Sequence, residues 1–207
     1  MLNPKVRIAV LVSGGGTNLQ ALIDAEDSGV IKSGKIVKVI SSKKDAYALE
    51  RAQKAGIPTA VVARKTHHDK EDFEVDLIRE IDEAGAEVIV LAGFMCILSA
   101  KFTKKYENRI LNVHPSLIPS FCGEGYYGLR VHEAALSYGV KVTGATVHLV
   151  NEIPDGGKIV MQKAVEIADD DTPETLQKKV MREAEWVILP RSVELICKQI
   201  REGRENE

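Results

Sequence analysis

An α/β fold is the class that this sequence predicts, with a mostly parallel, twisted sheet, helices on both faces and an antiparallel element in the C-terminal half. Short apolar runs rich in Val and Ile alternate with longer amphipathic stretches in the first half, which indicates a parallel sheet with right-handed crossovers. A turn-rich segment between two later apolar runs favours an antiparallel pair. With 207 residues, 44% of them hydrophobic, the chain can bury the core of a single domain, 1–207.

The first half is predicted to be Rossmann-like, with strands and helices in alternation. Each predicted strand is a short, nearly continuous apolar run, and each predicted helix is a longer amphipathic stretch. Strands are predicted at Val6–Val12, Lys35–Ser41, Pro58–Val62 and Val88–Leu91, and helices at Asn18–Asp27, Ala46–Ala55 and Lys70–Ala84. Open sheets of this kind bind ligands beyond the carboxyl ends of their strands, so the loops that follow the strands are candidate sites.

The alternation loosens after Ser99. The elements predicted there are a strand at Ile110–Val113, a loop at Pro115–Leu129, a helix at Val131–Tyr138, and strands at Val140–Val150 and Ile159–Ile167. A last helix is expected after Thr172, which can cap it, with Pro173 in the first helical position and an end near Arg201.

Charge and cysteine content restrict the partners and the compartment. The chain has 28 Lys and Arg against 30 Asp and Glu, so no net field draws it to nucleic acid or to an anionic membrane. Its 3 cysteines are odd in number and widely spaced, which favours a reducing compartment, and none has metal-ligand spacing. No apolar leader or membrane span is present in the sequence, which predicts a cytoplasmic protein with neither a nucleic-acid nor a membrane partner.

A glycine-rich segment, Ser13–Gln20, joins the first predicted strand to the first predicted helix. Its three glycines allow the backbone to approach an anion, and the amide groups at the helix start present positive partial charge to it. The dinucleotide motif G-x-G-x-x-G fails because Leu19 stands at its third glycine, and no Walker lysine follows. A monophosphate ligand is therefore preferred, with Ser13, Thr17 and Asn18 as added side-chain donors. The alternative is an ordinary glycine turn between a strand and a helix.

A second group of polar residues lies around the strand predicted at residues 110–113. Asn112 and His114 are two apart, so their side chains point to one face of that strand. An amide that donates to an oxyanion and an imidazole that moves a proton are suited to carbonyl chemistry. Asp155, in the turn between the two later strands, is expected to face His114 and to raise its tendency to hold a proton. On local pattern alone, ordinary strand-end and turn residues explain the three equally well.

Four stretches of the sequence resemble the glycinamide ribonucleotide formyltransferase family: Ser13–Gln20, Leu91–Leu98, Asn112–Pro119, and Gly144–His148 together with Asp155–Gly157. They occur in order over most of the chain. The resemblance implies a direct, metal-free transfer of the formyl group of 10-formyltetrahydrofolate to the amine of glycinamide ribonucleotide. The products would be N-formylglycinamide ribonucleotide and tetrahydrofolate, in purine synthesis. It also implies a phosphate-binding half at about 1–100 and a folate-binding, catalytic half at about 101–207.

The resemblance assigns roles residue by residue. Asn112 would hold the oxyanion, His114 as imidazolium would stabilise it and help to protonate the leaving folate nitrogen, and Asp155 would set the charge of His114. The other matched positions are Gly16, Thr17 and Asn18 for the phosphate, Glu185 for the ribose, Met95, Cys96, Ile97 and Leu98 with Asn112 for the pterin, and Lys70 for the glutamate tail of the folate.

Two features depart from the commoner pattern of that family. Cys96 stands where many members carry a basic residue, and Phe121–Gly128 lengthens the loop after the histidine motif. Both concern the shape of the folate pocket and its affinity for polyglutamylated folate, and neither touches the three catalytic positions.

Other functions are compatible with the same motifs. Formyltetrahydrofolate hydrolases and methionyl-tRNA formyltransferases share them, but usually carry a further domain for which 207 residues leave no room. A nucleotide- or folate-binding module without turnover is the non-catalytic alternative. A metal at Asp169–Asp171 and a nucleophilic Cys122 are set aside, because the acids suit a helix start and nothing indicates a covalent mechanism. We expect a monomer or a homodimer.

Overall fold

The computed structural model describes residues 4–205, so the predicted domain, 1–207, extends at both ends beyond the described residues. Within them lies one sheet, formed by β1 (Val6–Val12), β2 (Gly34–Ser41), β3 (Thr59–Val61), β4 (Val88–Leu91), β5 (Ile110–His114), β6 (Val142–Leu149) and β7 (Ile159–Glu166). The strand order is β3-β2-β1-β4-β5-β6-β7. β1 to β5 are parallel, whereas β6 is antiparallel to β5 and to β7. The predicted fold class, with its antiparallel C-terminal element, is confirmed.

The strand order changes direction at β1. From β1 the chain builds outward through β2 and β3, then returns to the other side of β1 to add β4 and β5. Leu11 of β1 pairs with Leu91 of β4, and Leu91 pairs in turn with Asn112 of β5. The loops that follow these three strands therefore meet at one edge of the sheet, at the kind of switch point where open α/β sheets bind ligands.

Helices flank this sheet on both faces. Those described are α1 (Thr17–Asp27), α2 (Tyr47–Lys54), α3 (Lys70–Glu83), α4 (Ala100–Lys105), α5 (Leu129–Tyr138), α6 (Pro173–Val180) and α7 (Trp186–Glu205), with a 3-10 turn at Arg64–Thr66 and a π-helical turn at Met181–Glu185. None of the helices between residues 4 and 205 is long and apolar enough to cross a membrane.

Two of these helical features differ from the predicted elements. α4 follows Ser99, where the loosened pattern predicted no helix, and the Ser99 hydroxyl caps it by accepting from the Phe102 N–H at 3.2 Å. The last helix was expected to be continuous, but the π-helical turn divides it into α6 and α7. Its predicted start is confirmed, because Thr172 caps α6 in a capping box and Pro173 is the first helical residue.

Two apolar clusters cover the two faces of the sheet. Alternate residues of β1 enter different clusters, Ile8 and Val10 on one face and Ala9 and Leu11 on the other, as the two-residue period of a strand requires. The first cluster is completed by buried residues of α1, α2, α6 and α7, and the second by residues of α3 and α4. Burial on both faces explains why the strands read as continuous apolar runs.

Candidate active site

The glycine-rich loop after β1 is packed closely against α2. Gly16 precedes α1 with a φ of 71°, in the left-handed region that favours glycine. A Cβ added to Gly16 would lie 2.6 Å from the Cβ of Ala48. At Gly14 and Gly15, an added Cβ would have nothing within 4 Å. The loop therefore packs against α2 at Gly16 and is open at Gly14 and Gly15.

Ser13 joins this loop to two neighbouring segments. Its hydroxyl lies 2.6 Å from that of Ser42, just after β2, and accepts from the N–H of Met95, after β4, at 2.9 Å. The Ser13 side chain is therefore engaged in holding the edge of the sheet together. Of the donors expected from the sequence, Thr17 lies half-buried at the first position of α1, next to Gly16.

Asn18 and Glu185 meet across 167 positions of the chain. The Nδ2 of Asn18 donates to Oε2 of Glu185 at 2.7 Å, and both side chains are buried. Burial raises the pKa of the Glu185 carboxyl from its ordinary 4.5 to about 7. Glu185 is the last residue of the π-helical turn, a type of irregularity that is frequent at functional sites. The predicted phosphate and ribose contacts are thus neighbours, although Glu185 engages the Asn18 amide.

Asn112 and His114 lie on β5, and Asp155 reaches them from the turn between β6 and β7. The Oδ2 of Asp155 lies 3.4 Å from Nδ1 of His114 and accepts from the backbone N–H of Gly123 at 2.9 Å. Asp155 has a φ of 54°, a conformation in which Asp is more readily accommodated than most residues. The structure therefore brings the carboxylate and the imidazole together, as the sequence predicts.

His148, which local pattern does not single out, completes this cluster. It lies opposite Asn112 in the pairing of β5 with β6, and Nδ2 of Asn112 is 3.2 Å from its Nε2. The same Nε2 lies 3.5 Å from Oδ1 of Asp155. A neutral ring can accept from the amide, whereas a protonated ring donates to the carboxylate, so His148 links the two groups. The strand register places His148 beside Asn112.

The His114 ring is held by the long loop after β5. Its Nε2 lies 2.8 Å from the carbonyl oxygen of Phe121, and because a carbonyl can only accept, Nε2 carries a proton. When the ring is neutral, Nδ1 is therefore the unprotonated nitrogen, on the side that faces Asp155. The backbone of Gly123, two residues beyond Phe121, binds Asp155, so one loop contacts both members of the pair.

The two groups have pKa values displaced in the same direction. Burial lowers the pKa of His114 below its ordinary 6.5 and outweighs the nearby carboxylate of Asp155, which raises it. Asp155 raises the pKa of His114, as the sequence predicts, but desolvation has the larger effect and sets the net direction. Burial also raises the pKa of Asp155, but His148, the charge of His114 and the Gly123 N–H together hold it below its usual range. Both directions favour a carboxylate beside a neutral imidazole.

The segment after β4 supplies apolar surface next to the loop that follows β1. Met95 and Ile97 are 55% and 66% exposed. Leu98 is instead buried in the cluster between the sheet and α3, so its side chain serves the core. The expected pterin-binding segment thus alternates between exposed and buried side chains.

Basic groups lie around Cys96 even though the residue itself is uncharged. Cys96 is half-buried, and burial raises its thiol pKa, while Arg64, Lys43 and Lys70 place positive charge near it. Lys70 is the first residue of α3. Lys70, the residue predicted to meet the glutamate tail of the folate, is therefore one of three basic residues near Cys96.

Asp171 and Cys122, from the two alternatives considered in the sequence, each have other partners in the structure. In the part of the chain from residue 4 to 205, no group of three or more His, Cys, Asp or Glu is arranged to hold a metal ion. Asp171 instead forms an ion pair with Lys179, at 3.3 Å. Burial raises the pKa of the Cys122 thiol, and its Sγ donates to the carbonyl of Pro119 at 3.3 Å, so the nucleophilic thiolate is disfavoured.

Comparisons with known proteins agree on one family. Residues 6–193 match the family model described as formyl transferase. The chain is 44% identical to the phosphoribosylglycinamide formyltransferase of Haemophilus influenzae, over 96% of its own length and 88% of that protein. It is also 44% identical to the trifunctional purine biosynthetic protein adenosine-3 of Gallus gallus, over 93% of its own length. The chain spans only 18% of the length of that trifunctional relative.

Solved structures with the same architecture carry similar names. Glycinamide ribonucleotide transformylase 1 from Symbiobacterium toebii superimposes with a TM-score of 0.88 at 38% identity, covering 94% of this chain and 89% of that one. The phosphoribosylglycinamide formyltransferase of Brucella melitensis gives a TM-score of 0.86 at 41% identity, covering 94% of this chain and 96% of that one.

Proposed function

Because this chain belongs to the formyl transferase family, we propose that it transfers the formyl group of 10-formyltetrahydrofolate to the amine of glycinamide ribonucleotide, in purine biosynthesis. The observation that carries the proposal is that Asn112 and His114 lie on β5, whose carboxyl end is at the same edge of the sheet as the glycine-rich loop, and that Asp155 lies 3.4 Å from His114. The names of the Haemophilus influenzae and Escherichia coli relatives, both phosphoribosylglycinamide formyltransferases, support the choice of acceptor.

The acceptor is proposed to bind through its phosphate and its ribose. The open side of the loop at Gly14 and Gly15 leaves space for an anion, and Thr17 adds a hydroxyl at the amino end of α1. Glu185 is proposed to accept from the ribose hydroxyls, with Asn18 orienting its carboxyl group. A carboxyl of pKa about 7 can accept from a hydroxyl in either protonation state, because its neutral form keeps a carbonyl oxygen.

In the proposed transfer the amine attacks the formyl carbon, a tetrahedral intermediate forms, and the folate nitrogen leaves. Asn112 stabilises the oxyanion of that intermediate. Its amide nitrogen has two N–H groups; one is directed at Nε2 of His148, which leaves the second for the oxygen. The contact with His148 also favours the amide orientation in which nitrogen, and not oxygen, faces the reacting group. A single such donor is worth about 3 to 4 kcal/mol of transition-state stabilisation.

His114 is proposed to take up the proton that the attacking amine loses and to pass it to the leaving folate nitrogen. Because burial keeps its pKa low, the resting imidazole is neutral and can accept a proton at Nδ1 as charge develops. The imidazolium then faces the carboxylate of Asp155, which offsets its charge, and Phe121 holds the ring by its other nitrogen. The imidazolium of the transfer is thus formed during the reaction, and its proton passes to the leaving nitrogen.

The donor is proposed to lie over the segment that follows β4. The exposed side chains of Met95 and Ile97 suit the flat, apolar faces of a pterin ring. Lys70, Arg64 and Lys43 supply cations for the glutamate tail near Cys96. No metal is proposed, because proton transfer and the amide donor account for the charges that develop. We further propose a cytoplasmic monomer or homodimer with small-molecule substrates, no nucleic-acid or membrane partner, and one domain over 1–207.

The test is an assay of tetrahydrofolate formation from 10-formyltetrahydrofolate, with and without glycinamide ribonucleotide. The wild type should show turnover that depends on the amine. Asn112→Ala should lower kcat about 10²- to 10³-fold, and His114→Ala should abolish most of the remaining rate. His68→Ala is the matched control, because its imidazole is 91% exposed and its removal should leave the rate unchanged.

Each other outcome of this assay identifies a different function. Turnover that does not need the amine would indicate a hydrolase. Binding of folate or ribonucleotide without any turnover would indicate a binding module and would contradict the proposal.

A further inference from the structure

The carbonyl groups of Gly14 and Gly15 are both bound from the α2 side. The oxygen of Gly14 accepts from the backbone N–H of Ala48 at 3.0 Å, and that of Gly15 accepts from Nε of Arg51 at 2.9 Å. In a trans peptide the C=O and the following N–H point in opposite directions. The N–H groups of Gly15 and Gly16 therefore point away from α2, toward the open side of the loop.

These two N–H groups are placed to receive an anion. Within residues 4–205, neither of them donates a hydrogen bond. Gly16 has the left-handed conformation that, next to a residue of ordinary φ, turns successive N–H groups into one concavity. The direction of both amides thus depends on the hydrogen bonds that α2 makes to the carbonyl groups.

Arg51 is itself fixed at three points. Besides Nε on Gly15, its Nη1 donates to Oε1 of Gln20 on α1 at 3.0 Å, and its guanidinium lies 5.1 Å from the centre of the Tyr47 ring. A planar guanidinium can serve two acceptors in different directions from one rigid group, which a lysine ammonium on a flexible chain cannot reproduce. The bridge therefore joins α2, the glycine loop and α1.

We propose that Arg51 is a positioning residue for the phosphate of the acceptor. It acts through the Gly15–Gly16 peptide: by holding the Gly15 carbonyl toward α2, it directs the Gly16 N–H at the phosphate oxygen. The inference rests on the proposed function for the identity of the ligand. Lys54, on the next turn of α2, also lies beside the Tyr47 ring, at 5.6 Å, but makes no hydrogen bond to the loop. Lys54 therefore brings positive charge alone, whereas Arg51 also holds the Gly15 carbonyl.

The test compares glycinamide ribonucleotide with the corresponding riboside, which lacks the phosphate. Arg51→Lys, which keeps the charge, should raise KM for the ribonucleotide about tenfold and leave kcat and the KM for folate unchanged. Its kcat/KM for the riboside should equal that of the wild type. Gln20→Ala, which removes only the second anchor of the guanidinium, should raise KM for the ribonucleotide about threefold. Lys54→Gln, the matched control, should behave as the wild type.

Three results would overturn the inference. Unchanged KM values in Arg51→Lys and Gln20→Ala would show that the loop does not need the bridge. Equal losses of kcat/KM with riboside and ribonucleotide would show a merely structural role. An equal rise of KM for the ribonucleotide in Lys54→Gln would show that positive charge alone is responsible. If Arg51→Lys does not fold, Gln20→Ala carries the same comparison. A wild type that fails to use the ribonucleotide overturns the proposed function as well, and is seen before any variant is compared.

Discussion

Asp155 lies between two histidines that lower its pKa, and its carboxylate in turn raises the pKa of His114. It lies 3.4 Å from Nδ1 of His114 and 3.5 Å from Nε2 of His148. All three side chains are largely withdrawn from water, so a charge on one is felt strongly by the others. Burial still decides the protonation state of His114, because the loss of hydration opposes its charged form more than the carboxylate favours it.

A change at Asp155 should therefore move the pH dependence of the reaction. Asp155→Asn removes the group that raises the pKa of His114, so this pKa should fall further below 6.5. If the neutral imidazole acts as the base, the acid limb of kcat/KM should move to lower pH, while kcat falls because the imidazolium has lost its partner. The measurement is a pH–rate profile for wild type and variant.

The control for this profile is Asp169→Asn, which removes the same charge from a side chain that is 95% exposed. It should leave the acid limb in place. An acid limb that stays fixed or moves to higher pH in Asp155→Asn would show that Asp155 does not act on His114 in this way.

The buried carboxyl of Glu185 should couple folding to pH. Its pKa is raised from 4.5 to about 7, so the folded state binds the proton more tightly than the unfolded state. The resulting stability is fully present below 4.5 and is lost as pH rises through about 7. Since one pKa unit corresponds to about 1.4 kcal/mol, the total is about 3 kcal/mol. Glu185→Gln, which cannot ionise, should not lose it.

Urea unfolding at about pH 5 and at about pH 8 measures this difference. Relative to Glu185→Gln, the wild type should lose stability as pH rises. The comparison between the two proteins cancels the titration of all other groups. If the free energy of unfolding changes with pH in the same way in wild type and variant, burial does not raise the pKa of Glu185.

At the scale of elements, α2 determines the shape of the loop that precedes α1. Gly16→Ala would place a Cβ against Ala48, at 2.6 Å from Cβ and 2.8 Å from Cα, in a left-handed conformation. Neither neighbour is a flexible side chain, so α1 and α2 must separate or the loop must change. We expect a loss of about 1 to 3 kcal/mol in the free energy of unfolding.

Gly14→Ala is the matched comparison, because its Cβ would meet nothing within 4 Å. It should stay within about 0.5 kcal/mol of the wild type. Urea denaturation of the three proteins at one pH gives both values. Equal stability of the two variants would mean that the loop does not pack on α2 as described.

At the scale of the whole molecule, one sheet separates two apolar clusters but also joins them, since every central strand contributes to both. If the chain is one domain, the clusters should unfold together. Trp186, the only tryptophan of the sequence, is the first residue of α7, a helix whose buried residues belong to the first cluster, whereas far-ultraviolet circular dichroism reports on helices of both faces.

Unfolding in urea followed by fluorescence and by circular dichroism should therefore give coincident transitions. No single contact makes the two transitions coincide. Two transitions, with the fluorescence change confined to one of them, would show that the two clusters unfold separately.

Much of this molecule follows from local sequence. The apolar runs predict the strands, because both faces of the sheet are covered, and Thr172 with Pro173 predicts the start of α6. The two-residue spacing of Asn112 and His114 predicts that they share a face. These features depend on neighbours within one element, where propensity and periodicity act directly.

The remaining features depend on contacts between distant segments, which only the tertiary structure decides. His148 joins the site through strand register, and Glu185 meets Asn18 across 167 positions. Helix α4 and the π-helical turn lack a strong local signal. The lowered pKa of His114 depends on how much water the fold removes from the ring, and desolvation is a property of the packed molecule that no local pattern records.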